Sequence, residues 1–238
     1  MVESYYPFLA ILLVDEIGRV DCFKLPRDYK DTFEKLRSPA GRKVLSRRLK
    51  KPIPEIPWSE FEHQIKAVAR HDVGVVTYLD DNFPQYLRDI PNAPPLLFFR
   101  GDFGVLDRRG VAIVGSRRPS ARGAAFTRML AAELAGRGIL VTSGAAAGVD
   151  TAAHRGALEA GAATVAVVGT GLDIAYPVEN KELLETIAVD GCVVSEQLMG
   201  TRPLKFVFPL RNRLISGISH VVVVVEAGDS SGALITAR

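Results

Sequence analysis

Cysteine is scarce in this sequence of 238 residues: Cys22 and Cys192 are the only two, far apart and each in an apolar context. This usage favours buried thiols in a reducing compartment over a disulfide framework or a set of metal ligands. The sequence also lacks an apolar run long enough to span a bilayer, and it does not begin with the pattern of a secretory signal. These absences predict a cytoplasmic protein with no membrane segment and no metal site.

An excess of one charge sign is also nearly absent. Thirty Lys and Arg residues against 27 Asp and Glu residues give a formal net charge of +3. Such a small excess allows a polyanionic partner without requiring one. The hydrophobic fraction of 47% is sufficient for a large core. The length suits one α/β domain with a small appendage.

The usual fingerprints of cofactor and catalytic sites are missing as well. Gly115-Ser116-Arg117-Arg118 is not a GxGxxG turn, because a long cation stands where a dinucleotide pyrophosphate needs close backbone approach. The acidic ribose ligand expected about 20 residues later is replaced by Thr142-Ser143. The sequence shows no P-loop, no metal-ligand spacing and no nucleophile with its base. It therefore predicts neither a cofactor nor a catalytic residue.

What the sequence does contain is a repeated pattern of strand, small-residue turn and helix. Each strand is an apolar run, which is typical of strands covered on both faces of a parallel sheet. Each turn is rich in glycine and serine. The pattern predicts an α/β fold with a mostly parallel open sheet and helices on both faces. The apolar runs are Val111–Val114, Ile139–Thr142, Thr164–Val168 and Val221–Val225.

Helical patterns and shorter strands fill the intervals. Helices are expected at 151–160, 182–189 and 214–218, and short strands at 73–79, 96–99 and 192–195. Prolines flank the first two of these strands, which places them at or near a sheet edge. Another helix follows the first apolar run. The residues expected to face the sheet from it are Ala125, Met129, Leu130, Ala132 and Leu134.

The beginning of the chain is less regular. Tyr6–Val14 fits a strand or a short buried helix, and Asp31–Leu49 has helical spacing. Lys51–Pro57, with three prolines, is typical of a stiff extended linker. We therefore expect a small, mostly helical and basic N-terminal module with its linker over residues 1–72, and the α/β domain over residues 73–238.

Basic residues crowd this N-terminal module, and no acidic residue lies among them. A solvated helix face is the preferred interpretation, because charge runs are common on surfaces. An auxiliary nucleic-acid contact is the alternative. The residues are Lys35, Arg37, Arg42, Lys43, Arg47, Arg48, Lys50 and Lys51.

The small-residue turns follow the carboxyl ends of parallel strands, where open α/β sheets form their binding crevice. Turns of this kind present backbone N–H groups and the positive end of a helix dipole, which bind phosphate. Tight strand-to-helix geometry alone explains any single turn. Four such turns, with arginines at two entrances, favour a binding site.

The cations near these turns have two interpretations each. Arg117 favours a phosphate or base contact, whereas Arg118 also fits a solvated surface position. Arg211-Asn212-Arg213 and Lys181 are expected at helix starts. Each of them fits either a phosphate contact assisted by the helix dipole or an ion pair within the domain.

Asp150 and His154 lie four residues apart on one face of a predicted helix. An acid–base pair is one interpretation. A structural role, in which Asp150 caps the helix and His154 bonds a neighbour, is the commoner case and is preferred here.

Taken together, the motifs resemble the DNA-processing protein A family (DprA, also called Smf). The resemblance covers roughly residues 70–238. It rests on GSR at 115–117, SGxxxGxD at 143–150 with AAH at 152–154, AVxGxGLDxxYP at 166–177, SE at 195–196, FPxRNRxIxG at 208–217, VVVVEA at 222–227 and SGxLITA at 231–237.

This resemblance implies an extended Rossmann-like domain that binds single-stranded DNA and loads the RecA recombinase onto it during natural transformation. It further implies a homodimer and a binding protein rather than an enzyme, with Arg117 as the DNA-contacting arginine after the first strand. The predicted DNA-binding residues are Gly115, Ser116, Arg117, Arg118, Ser143, Gly144, Lys181, Arg211, Asn212, Arg213, Ser231 and Gly232.

Two other functions remain open from the sequence. Related Rossmann-like enzymes with glycine-rich turns cleave nucleoside monophosphates, and Glu226 before a GxSSG turn fits their need for a carboxylate. A protein-interaction scaffold with a vestigial pocket is the third possibility. The pattern also leads us to expect one further βα unit after Arg238.

Overall fold

The computed structural model describes residues 3–14, 19–228 and 232–236. The chain forms two compact units, Met1–Leu97 and Phe98–Arg238. The division falls later than the boundary at residue 72 expected from the sequence. Within the described residues, no helix has both the length and the apolar character needed to cross a bilayer.

Helices and strands alternate in the second unit, whereas the first is mostly helical. The α-helices are α1 (Tyr6–Leu12), α2 (Tyr29–Arg37), α3 (Pro39–Leu49), α4 (Trp58–Arg70), α5 (Gln85–Asp89), α6 (Ala121–Gly136), α7 (Val149–Glu159), α8 (Lys181–Asp190), α9 (Val207–Ile218) and α10 (Ala233–Thr236). The strands are β1 (Gly74–Thr77), β2 (Leu96–Gly101), β3 (Gly110–Gly115), β4 (Leu140–Ser143), β5 (Thr164–Val168), β6 (Cys192–Ser195) and β7 (Val221–Val225).

Aromatic side chains hold the helices of the first unit together. Phe33 of α2 packs against Tyr6, Trp58 and Phe61, with ring centroids 5.3–5.8 Å apart. Residues 6–12 are therefore a buried helix, not a strand. The helical pattern over 31–49 is divided into α2 and α3 at Ser38, whose hydroxyl accepts a hydrogen bond from the amide of Gly41. Proline follows Ser38 at the first position of α3, where its missing N–H costs nothing.

The segment predicted to be a linker is instead part of the packing of the first unit. Ile53 and Ile56 are buried, and the amide of Ile53 donates to the hydroxyl of Ser46 at 2.9 Å. The alternation of proline with isoleucine explains the error. The prolines do make the segment extended, but the isoleucines between them attach it to α3.

The second unit is built on a sheet in the strand order β2-β6-β5-β4-β3-β7. Strands β3 to β7 are mutually parallel, while β2 is antiparallel to β6. The predicted strands 164–168, 192–195 and 221–225 have the observed bounds. The mostly parallel open sheet expected from the sequence is confirmed.

Helices cover both faces of this sheet. Helices α6 and α7 pack on the face that carries Ile113 and Val141, and α8 packs against Ala166 and Val193. Helix α9 contacts β3, β4 and β5. It lies on the opposite face, because its Ile215 lines the same cleft as Val114, the neighbour of Ile113 along β3.

The orientation expected for α6 is correct for Leu130 and Leu134, which pack against the core, and wrong for Met129 and Ala125. Met129 is 64% exposed and Ala125 is also exposed, while Leu130 and Leu134 are partly buried. Small residues make the close contact instead, because α6 and α7 approach so closely that a Cβ on Gly156 would lie 2.2 Å from the carbonyl oxygen of Arg128. The buried face consists of Gly123, Thr127, Ala131 and Ala135.

Helix α9 also differs from expectation. It begins at Val207, not at Leu214, so Arg211-Asn212-Arg213 lies inside the helix. Pro209 does not break it, because it occupies the first turn, where backbone N–H groups have no partner within the helix. The cations of this motif are therefore remote from the positive end of the helix dipole.

Candidate functional site

The carboxyl ends of the parallel strands lie at one edge of the sheet, and a cleft of about 660 Å³ opens there. Its walls come from the end of β3, the turn before α7, the loop before α9, and α9 and α10. The residues that give the cleft its chemistry are Gly115, Arg117, Asp150, Tyr176, Lys205, Phe208, Arg211, Asn212 and Gly232.

The turn after β3 is fixed by its own hydrogen bonds. The amide of Ser116 donates to the carbonyl of Val225, and the hydroxyl of Ser116 accepts from the amide of Arg118, each at 3.1 Å. A Cβ on Gly115 would lie 2.0 Å from the oxygen of Val225, so glycine is required there. These amide donors are therefore used within the protein, contrary to the expectation that they face a phosphate.

The side chain of Arg117 is exposed and belongs to the cleft. Its guanidinium lies 5.5 Å from the ring centroid of Phe208, within the range of a cation–π contact. The ring of Phe208 in turn packs against that of Tyr176, with centroids 5.5 Å apart and planes tilted by 36°. A cation and two aromatic rings thus form one platform, which we call the Arg117 platform.

The start of α6 already has an anionic partner. The carboxylate of Glu226 accepts hydrogen bonds from the amide and the hydroxyl of Ser120, at 2.7 and 2.5 Å. These bonds lower the pKa of Glu226 below its ordinary value. A Cβ on Gly123 would lie 2.4 Å from this carboxylate. The helix terminus at which Rossmann-type folds hold a phosphate is therefore occupied by a side chain of the protein.

Ser143 at the end of β4 and Gly144 after it lie beneath the cleft surface, although Ala146 of the same turn lines the cleft. Ser143 is fully buried and donates from its hydroxyl to the carbonyl of Ile113 at 2.6 Å. The carbonyl of Gly144 accepts a hydrogen bond from Arg211 at 2.7 Å. The structure therefore corrects the expectation that Ser143 and Gly144 are exposed to a ligand.

Asp150 and His154 have structural surroundings, as preferred from the sequence, although Asp150 is not the N-cap of α7. Gly148 holds that position at φ +85°, and Asp150 accepts from the amide of Ala146 at 3.3 Å. Burial raises the pKa of Asp150, and the charge of Arg211 opposes this shift. His154 Nδ1 lies 2.8 Å from the hydroxyl of Thr164.

Arg211 is buried and connects α9 to the neighbouring strands. Its guanidinium donates to the carbonyl of Gly144, just after β4, and to that of Val167, near the end of the neighbouring strand β5. Burial lowers its pKa to about 10, the charge of Asp150 opposes this shift, and the charge of Arg117 adds to it. Arg211 remains a cation at neutral pH, but its donors are directed at backbone oxygens.

The two neighbours of Arg211 are also engaged within the protein. Arg213 forms an ion pair with Glu196, in which its Nη2 donates to both carboxylate oxygens at 2.7 and 2.9 Å, and the carboxylate is buried. Asn212 donates to the carbonyl of Gly232 at 3.1 Å. Ser231 lies outside the described residues. The ion-pair interpretation of the RNR motif is thus correct for Arg213.

The remaining predicted cations are exposed, but the cleft does not include them. Arg118 and Lys181 both face solvent, and Lys181 is the first residue of α8. Three residues that the sequence reasoning missed do line the cleft: Tyr176, Lys205 and Phe208. The YP and FP pairs of the motifs contained two of them, but only the fold shows that these pairs meet beside Arg117.

The fold and this edge of the sheet define an α/β protein with an open, mostly parallel sheet and a cationic, aromatic-lined crevice at the carboxyl ends of its strands. The chain belongs to the DNA recombination-mediator protein A family, whose model matches residues 74–238.

Curated relatives share much of this sequence. DNA processing protein DprA of Streptococcus pneumoniae is 47% identical over 158 residues, which are 66% of this chain and 56% of that protein. Protein Smf of Synechocystis is 43% identical over 166 residues, which are 67% of this chain and 41% of that protein. The chain thus spans about half the length of these relatives.

Solved structures support the same fold. The structure of DprA from Streptococcus pneumoniae matches all of this chain and 83% of that chain, with a TM-score of 0.80 and 33% identity. DNA processing protein A from Helicobacter pylori, described with its single-stranded DNA binding mode, matches 70% of this chain and 74% of that chain. Its TM-score is 0.64 and its identity is 34%.

Proposed function

We propose that this chain binds single-stranded DNA in the cleft at the carboxyl ends of the parallel strands. The observation that carries the proposal is the Arg117 platform, an exposed guanidinium held over Phe208 with Tyr176 beside it. Proteins that bind single strands without sequence preference combine cations for the backbone with aromatic faces on which bases stack. Lys205 adds a second exposed cation to the same cleft.

The buried charges give this site its shape. Asp150 is the one acidic residue among those that line the cleft, and the charge of the buried Arg211 offsets its negative charge. Arg211 and Arg213 hold α9 against the strand ends, which positions Phe208 in the first turn of the same helix. We therefore assign direct contacts to Arg117, Lys205, Phe208 and Tyr176, and supporting roles to the buried arginines.

The main test is oligonucleotide binding by Arg117→Ala at matched salt. We expect the substitution to weaken binding of a single-stranded oligonucleotide by about 1–3 kcal/mol, the range for hydrogen bonds to charged groups. Fluorescence anisotropy with a labelled oligonucleotide measures the change. Arg155→Ala is the matched control, because Arg155 is exposed on α7 and does not line the cleft. Equal affinities for Arg117→Ala and the parent would remove the cleft from consideration.

Phe208→Leu separates stacking from charge. The leucine keeps an apolar side chain and every cation but removes the aromatic face. Base stacking contributes about 1–3 kcal/mol per base, so we expect a loss within that range and an unchanged salt dependence. A duplex of the same sequence, whose bases are not available for stacking, is the control ligand. An equal loss for duplex and single strand would argue against stacking.

The wider role that the family resemblance implies is part of the same proposal: protection of incoming single strands and loading of RecA recombinase onto them, by a homodimer in the cytoplasm. Its test is RecA filament assembly on single strands coated with single-strand-binding protein. We expect the chain to shorten the lag and Arg117→Ala not to. Sedimentation at several concentrations tests the dimer, and a monomer throughout would contradict it.

The enzymatic alternative needs a free carboxylate near an anomeric carbon. Glu226, the candidate, is held by Ser120 at the start of α6. This engagement supports a binding protein over a hydrolase. Release of free base from a nucleoside monophosphate by the parent, but not by Glu226→Gln, would favour the enzyme.

A further inference from the structure

Three cations lie along one side of α3 and past its end. Lys43, Arg47 and Lys50 follow one another at spacings of four and three residues, and all are exposed. The buried residues of the same helix are Gly41, Leu45 and Leu49, so the three cations point away from the core. We call Lys43, Arg47 and Lys50 the basic stripe.

The basic stripe has no acidic partner, in contrast to several other exposed cations of the protein. Lys35 pairs with Asp31, Arg128 with Glu159, and Arg137 with Glu133. In the part of the chain that the structure describes, no ion pair involves Lys43, Arg47 or Lys50. Residues 35–51 contain no Asp or Glu at all. A solvated helix face usually mixes both signs, so the unpaired stripe calls for an external anion.

Neighbouring contacts hold this surface in place. The guanidinium of Arg42 donates to the carbonyl of Leu36 at 3.1 Å, and that of Arg48 donates to the carbonyl of Lys24 at 2.6 Å. Lys50 has φ +56°, a left-handed conformation that glycine usually adopts after a helix. A cation therefore stands at a position where backbone geometry favours glycine.

A groove of about 450 Å³ runs beside the stripe. Arg42, Lys43 and Ser46 form one wall, and the extended segment Pro52–Glu55 forms the other, with Glu55 as the one acidic residue among those lining it. Residues four apart on a helix are separated by roughly 6 Å along its axis. Of the stripe, Lys43 lines the groove, and Arg47 and Lys50 continue the row of cations beyond it. Such a row suits an extended polyanion better than a compact anion.

We propose that the basic stripe is a second binding surface for the phosphodiester backbone of single-stranded DNA, located in the first unit and independent of the cleft. This inference rests on the proposed function, because it takes the same ligand class. The phosphates lie against Lys43, Arg47 and Lys50, and the prolines of the groove accommodate sugar and base edges. Contacts of this kind increase affinity and salt dependence without adding sequence preference.

The test is the salt dependence of oligonucleotide binding by a triple variant, Lys43→Gln with Arg47→Gln and Lys50→Gln. For single strands the slope of log affinity against log salt is roughly −0.7 for each phosphate neutralised. We expect the triple variant to have a slope less steep by about 2 and weaker binding at low salt. The control is Lys30→Gln with Lys66→Gln and Arg70→Gln, which removes three exposed cations from α2 and α4 of the same unit.

The outcomes distinguish this inference from the proposed function. A shallower slope in the stripe variant, with the parental slope in the control, supports the stripe. Identical slopes for the parent and the stripe variant overturn the inference and leave the proposed cleft unaffected. If the slope becomes less steep by the same amount in both triple variants, net charge explains the change and the inference is overturned. If the parent binds no oligonucleotide, both proposals fail. Stripe-dependent binding to phosphatidylserine vesicles, with an unchanged slope on DNA, would reassign the stripe to membranes and overturn the inference.

Discussion

Arg117 and Arg211 show how differently two arginines of one cleft are used. Arg117 is exposed over Phe208, whereas Arg211 is 6% exposed and donates to two backbone carbonyls. The sequence placed both beside the crevice, and this part of the prediction is correct. The sequence could not show which of the two is buried. Burial of Arg211 depends on the positions of backbone carbonyls near the ends of β4 and β5, which a local sequence pattern does not predict.

His154 provides a prediction about pH at the residue scale. The hydroxyl of Thr164 donates its hydrogen to the carbonyl of Val141, so it accepts from Nδ1 of a neutral His154. The other ring nitrogen, Nε2, has no partner among the described residues. Burial, followed by the charge of Arg211, lowers the pKa of His154 to about 3. The folded protein therefore resists the protonation that the unfolded chain undergoes near pH 6.5.

The sign of the effect follows from linkage. Below pH 6.5 the unfolded state binds a proton that the folded state does not, so stability falls as the pH falls toward 3. The loss attributable to His154 between pH 7 and pH 5 is roughly 2 kcal/mol. Urea unfolding of the parent and of His154→Asn at both pH values measures it. We expect a smaller pH dependence in the variant, whatever its absolute stability. Equal dependences would show that His154 does not contribute.

At the scale of elements, strands and turns were predictable and helix faces were less so. The all-valine run Val221–Val225 was predicted with its observed bounds, although β7 is an edge strand in which only Val225 is buried. The buried face of α6 was predicted only in part, because large residues were assumed to fill it, whereas contact with α7 selects small ones such as Ala131 and Ala135. The start of α9 was missed because Pro209 resembles a boundary, although a proline in the first turn is tolerated.

The ion pair between α9 and the end of β6 gives a prediction at this scale. Arg213 holds the buried carboxylate of Glu196 in two hydrogen bonds. Removing one partner of such a pair is costly because the other charge stays buried. We expect Arg213→Ala to lower the free energy of unfolding by about 3 kcal/mol. In the double variant Arg213→Met with Glu196→Gln, much of that loss should be recovered, since no buried charge remains. Denaturant unfolding measures both.

The same variants distinguish support from contact. If Arg213 acts only by holding α9, the double variant binds single-stranded oligonucleotide nearly as well as the parent once it is folded. A double variant of normal stability that lost binding as severely as Arg117→Ala would show that Arg213 itself touches the ligand. Arg117→Ala should leave the unfolding curve unchanged, because its side chain is exposed.

For the whole molecule, charge distribution matters more than net charge. The formal charge of +3 gives no strong indication of a nucleic-acid partner. Among the described residues, two groups of exposed cations without acidic partners carry the proposals: those of the cleft in the second unit and the basic stripe in the first. The sequence indicated both regions, but pairing with Asp and Glu is a property of the fold. Which cations remain available for a ligand could therefore be decided only from the structure.

This distribution leads to a prediction for the intact chain: single-stranded DNA should stabilise it against heat, and salt should remove the effect. A ligand that binds only the folded state stabilises it by about 2.7 kcal/mol at a concentration 100 times its Kd. We expect a clear rise in Tm with oligonucleotide at low salt. We expect no comparable rise at high salt, because affinity falls as counterions are no longer released favourably. Differential scanning fluorimetry with and without oligonucleotide measures the shift.

Two controls make this prediction specific to the proposed cleft. Arg117→Ala should share the parental Tm without ligand and show a smaller rise with it, because the substitution changes affinity and not packing. Duplex of the same length should stabilise the parent less than the single strand, since its bases are not free to stack on Phe208 and Tyr176. If duplex stabilised the chain as well as the single strand, or if the rise survived high salt, general attraction between opposite charges or non-ionic binding elsewhere would explain the result better than the Arg117 platform.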